Sequence, residues 1–70
     1  MSNDSERRIW AAIADEPAPG ADKAERSAWL DRLAVVLDEV AADDPYRAER
    51  ATRAAESARF AAESYRGERR

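Results

Sequence analysis

Cysteine and histidine are both missing from this 70-residue chain. Their absence excludes disulfides, thiolate nucleophiles, the usual zinc sites and the commonest general base. Glycine occurs only twice and no glycine-rich phosphate loop, EF-hand spacing or nucleophile motif is present. Long apolar runs are lacking as well: the apolar residues are interleaved with charges, and no stretch approaches the roughly 18 residues that span a bilayer. The first eight residues are polar with no apolar segment behind them, so no secretory signal is read and the cytoplasm is the expected compartment. Lysine appears once, at Lys23, while alanine and arginine abound; this compositional bias carries no mechanism.

What is present points to helices. A chain of this length is read as one small domain over residues 1–70, whose single core supplies only about 3–5 kcal/mol. With disulfides and zinc removed, association is the remaining supplement, so a homo-oligomer is expected. Charge is unevenly placed. Residues 1–45 hold five basic and eleven acidic side chains, and residues 46–70 hold seven basic and four acidic. Such asymmetry either draws an acidic partner to the C-terminal part or lets the two parts attract each other.

Three helices are expected, over about 4–15, 23–42 and 45–66, with frayed ends at 1–3 and 67–70. In the first, Asn3 followed by Glu6 has capping-box spacing, and Ile9 and Ile13 with Trp10 beside them give one apolar face that must dock on something. Pro17, Pro19 and Gly20 break the chain. Asp22 and Glu25 repeat the capping spacing ahead of a helix about 30 Å long. Its apolar stripe, Trp29, Leu30, Leu33, Val36, Leu37 and Val40, is wide enough for two neighbours, which makes this the central helix. Asp44 as N-cap with Pro45 at the first helical position starts the third helix, and Gly67 ends it in a left-handed cap. The connection is short, so the fold class is all-α: a long antiparallel hairpin of the second and third helices, with the short N-terminal helix packed across it.

Function is sought on the third helix. Ala48, Ala51, Ala54, Ala55, Ala58, Ala61 and Ala62 share an arc with Tyr65, either to let the two long helices approach closely or to form an association seam. Away from that arc lie Tyr46, Arg50, Arg53 and Phe60, with Ser57 and Ser64, while Val35 stands off the stripe of the central helix. Aromatics and arginine favour the centres of protein contacts, so Tyr46, Arg50, Arg53 and Phe60 are the candidate partner-binding residues. The blander alternative is that the first helix covers the two aromatics, or that they are singly exposed. The paired acids Asp15 and Glu16, Asp38 and Glu39, and Asp43 and Asp44 sit where acids cap helices or solvate a surface. No catalytic, cofactor or metal site is therefore assigned.

The expected function is a non-enzymatic helical protein-protein interaction module, an adaptor, regulator or assembly subunit that also self-associates. A small DNA-associated regulator using the arginine-bearing third helix is the alternative. It is weakened by the chain's net charge of −3 and by spacings that pair Glu49 with Arg53, Glu56 with Arg59 and Arg59 with Glu63.

Overall fold

A computed structural model of the chain describes residues 4–67. Three helices follow one another, α1 (Asp4–Ala14), α2 (Lys23–Asp43) and α3 (Ala48–Arg66), with no strand among the described residues. The fold is all-α, as the periodicity requires. None of these helices is long and apolar enough to cross a membrane. Asn3 and the tail beyond Gly67 lie outside the described residues.

Local chemistry accounts for most of the boundaries. Asp22 is the N-cap of α2, its Oδ1 accepting from the Glu25 amide at 2.9 Å. Gly67 closes α3 at φ 75°, a left-handed conformation that costs glycine little, and its amide donates to the carbonyls of Glu63 and Ser64. The eight-residue connection between α1 and α2 is held by Arg26, whose guanidinium donates to the carbonyls of Ala18 and Pro19.

The start of α3 differs from expectation. Asp44 is the C-cap of α2, its amide donating to the Val40 carbonyl at 2.8 Å, and α3 begins at Ala48 after a hydrogen-bonded turn through Pro45, Tyr46 and Arg47. Asp44 still caps locally, accepting from the Tyr46 amide at 3.1 Å through Oδ1. Its other oxygen is engaged elsewhere: Oδ2 accepts from the Ser5 hydroxyl at 2.9 Å and from Arg47 at 3.0 Å. The capping carboxylate is thus shared with α1, and a hydrogen-bonded turn of three residues precedes α3.

α2 and α3 pack along their length as an antiparallel pair, and α1 lies against α2 alone. The alanine arc divides between two roles. Ala51, Ala55, Ala58 and Ala62 are buried, most of them in one cluster with Ala34, Leu37 and Val40 of α2, so small side chains let the two backbones approach. Ala54 is exposed and Ala48 and Ala61 only half-buried, so the rest of the arc is left for another surface. Polar ties flank the seam. Ser27 donates to the Ala62 carbonyl at 3.2 Å and accepts from Arg66 at 2.8 Å; Arg66 also pairs with Asp31 at 3.0 Å. Arg59 pairs with Asp38 across the helices rather than with Glu56 or Glu63 along its own. The charge asymmetry is thus partly consumed inside the fold.

α1 is fastened at both ends. Ser5 and Arg8 reach Asp44 and Asp43, and Glu6 meets Arg47 at 3.0 Å. One to two turns further on, the Trp29 indole N–H donates to the Ala12 carbonyl at 2.8 Å. Ile9 packs on the core cluster. The assembly is shallow, with Cα extents of 40 × 26 × 12 Å.

Candidate functional site

Because α1 and α3 each lie against α2, a wedge stays open between them. Its floor is the α2 stripe: Leu30, Leu33 and Leu37 face it, the first two only half-buried. Ile9 and Ile13 form the α1 wall, and Ala54, Ser57, Ala58 and Ala61 form the α3 wall. The volume is about 370 Å³. The cleft continues toward the α2–α3 turn, where Ile9, Leu37 and Ala54 are joined by Arg47 and Arg50. Leucine floors and alanine walls at helical spacing suit the side chains of another helix, since an amphipathic partner presents its own apolar residues every three or four positions.

The four candidate residues lie round this cleft in two pairs rather than at one point. Tyr46 and Arg50 line the turn end together with Glu6 and Arg47. Arg53 and Phe60 flank Ser57 on the outer shoulder of α3. α1 does not cover either aromatic: Tyr46 is 89% exposed and Phe60 is 59% exposed. Tyr46 belongs to the turn, not to α3, and the Arg47 guanidinium lies 5.7 Å from its ring centroid. Val35 is exposed but sits two residues from both Leu33 and Leu37, which puts it near the opposite face of α2 and outside this patch.

Electrostatics at the turn end are set by a clasp. Hydrogen bonding from Ser5 holds the Asp44 carboxyl below the usual carboxylate value, against partial burial, and Arg47 lowers it further by hydrogen bond and charge. In return Asp44, followed by Glu6, holds the Arg47 guanidinium above its ordinary value. Ion pairs occupy Arg53 with Glu49 and take Arg59 and Arg66 across to α2. Arg50 is the one arginine of α3 without an ion pair among the described residues.

Sequence reasoning did not single out Trp10, Ile13, Leu30 and Leu33 as interface residues. Trp10 was read with Ile9 and Ile13 as one packed face, yet it is 66% exposed while Ile9 packs on the core. The available signal was spacing. Trp10 is adjacent to Ile9, so the two point about 100° apart, and an eleven-residue helix touching one neighbour buries only one of them. Trp10 instead lies beside Glu6 and Ile13, four residues before it and three after, on the outward side of α1.

Compared with protein-family models, curated proteins and solved structures, the chain matches none of them.

Proposed function

We propose that this chain is a non-enzymatic helical interaction module that binds protein through the open face between α1 and α3. The observation that carries this reading is the combination of a half-buried leucine floor with exposed aromatic and arginine side chains on its rims. A helix with two apolar flanks normally hides both; here the side between Leu30 and Leu37 meets no third helix. Tyr46, Arg50, Arg53 and Phe60 stand where large contact area and bidentate donors add most to a protein contact.

Two further features weigh in the same direction. Asp31, Asp38, Asp43 and Asp44 are each tied to an arginine, which leaves these acids to hold the helices together rather than to move protons. Most of the α3 arginines are likewise paired, which weakens the phosphate contacts a DNA-binding helix depends on.

The test is affinity capture from the source cells with the tagged wild-type chain and with Phe60→Glu and Arg50→Glu, with and without nuclease. The expected result is a nuclease-resistant protein, whether this chain itself or another, that both substitutions release. Recovery only through nucleic acid, or capture indifferent to both substitutions, contradicts the reading.

A further inference from the structure

We propose that α1 is a releasable arm: it lies along the apolar stripe of α2, is latched at the turn end by exposed charges, and leaves the hairpin as a unit when those charges are screened.

The buried core does not include α1. Its cluster is built from Ala34, Leu37 and Val40 of α2 with Ala51, Ala55 and Ala58 of α3, so the hairpin keeps it when α1 departs. The one buried residue of α1 is a serine, Ser5, and only Ile9 of its large apolar side chains packs on the cluster, half-buried. The other ties of α1 to α2 and the turn are polar. Ser5 meets Asp44, Arg8 meets Asp43 and Glu6 meets Arg47. Both ion pairs are open to solvent, the Asp43 and Glu6 side chains being 64% and 52% exposed. Pairs of this kind weaken as salt shortens the Debye length, to about 3 Å at 1 M. Toward its other end α1 is held by the bond from Trp29 to Ala12, and beyond it Arg26 pins the connection to the start of α2 through Ala18 and Pro19. That pinned connection is the pivot. The eleven residues of α1 are too few for a stable isolated helix, so undocking and melting occur as one step.

Position gives the arm its effect. A groove opens on each side of α1: the cleft where Ile9 and Ile13 face Leu30, Leu33 and Leu37, and a second of about 310 Å³ where Ala11 and Ala12 face Trp29 and Val36. α1 therefore divides the α2 stripe along its length. Once it leaves, Trp29, Leu30, Leu33, Val36 and Leu37 form one continuous surface. Resting on the docking reading above for this consequence alone, α1 competes with the partner for α2.

Amide hydrogen exchange of the full chain, followed by NMR at constant pH in about 0.05 and 1 M NaCl, tests the arm without any partner. The amides of Ile9 to Ala14 should share one protection level about tenfold or more below that of Ala55 and Ala58. High salt should lower it about fivefold further, the weight of two exposed ion pairs. Arg8→Glu should produce a similar loss at low salt. Adding Asp43→Arg, which restores the pair with its signs exchanged, should return the protection toward wild type, and Ala55 and Ala58 should change less than α1 throughout. Equal protection in α1 and at Ala55 and Ala58 overturns the arm. So does an α1 that exchanges faster but responds neither to salt nor to Arg8→Glu. The docking reading keeps its own capture test, so the two fail separately.

Discussion

Ala55→Leu is the sharpest probe of the hairpin seam. Ala55 has no exposed surface and sits in the cluster with Ala34, Leu37 and Val40, in the seam between α2 and α3. Leucine adds about three carbon groups to a site without space, so either the helices separate or neighbours leave their rotamers, at about 1–3 kcal/mol. Full burial puts the value in the upper part of that range, about 2–3 kcal/mol. Helix propensity contributes little, because leucine ranks close behind alanine. Set against the roughly 3–5 kcal/mol that one small core supplies, half or more of the stability disappears. The melting midpoint should fall by roughly 10–20 °C, at about 4–8 °C per kcal/mol for a domain of this size. The control is the same substitution at Ala28, exposed on α2, which should stay within about 0.5 kcal/mol of wild type. Urea denaturation followed by circular dichroism at equal protein concentration reads both. Ala55→Leu within about 0.5 kcal/mol of wild type would refute the argument that alanine is required for close helix approach.

Other predictions concern the attachment of α1. Asp44 has its pKa lowered in the folded chain, so its stabilising contribution is fully present above the unfolded value near 3.9 and is lost as pH falls through the lower folded value. Urea midpoints measured from neutral pH down through that window should drop more steeply for wild type than for Asp44→Asn; equal slopes would mean that Asp44 does not carry the acid sensitivity. Trp29→Phe removes the indole donor to Ala12 and should cost about 1 kcal/mol, with faster amide exchange in α1 than in α3. Uniform acceleration across all three helices would show that α1 does not open separately.

Much of this fold is legible in the residues because its punctuation is local. Asp22 and Gly67 cap their helices through hydrogen bonds spanning three or four residues, and the α2 stripe announces a helix with two neighbours by its width. Where the reading and the structure part, the cause is long-range. Asp44 and Pro45 have the form of a helix start, but Asp44 is shared with Ser5, 39 residues away, and α3 starts later. Arg59 has acids at helical spacing on both sides and chooses Asp38 across the seam, because that carboxylate is brought near by packing that no short window encodes. The candidate face was half visible. Phe60, Arg50 and Arg53 stood out because they lie off the alanine arc. Trp10 and the leucine floor did not, since their exposure depends on α1 lying against α2 and stopping short of α3.

Thermal unfolding at a series of protein concentrations tests most directly the proposal that this chain is an interaction module that also self-associates. For a dimer that dissociates as it unfolds, a hundredfold rise in concentration contributes about 2.7 kcal/mol per dimer. With about 2.1 cal/mol/K per residue over two chains, the midpoint should climb by roughly 9 °C. Phe60→Glu should flatten that dependence. A wild-type midpoint that stays constant from about 5 to 500 µM would contradict self-association as the supplement to this small core.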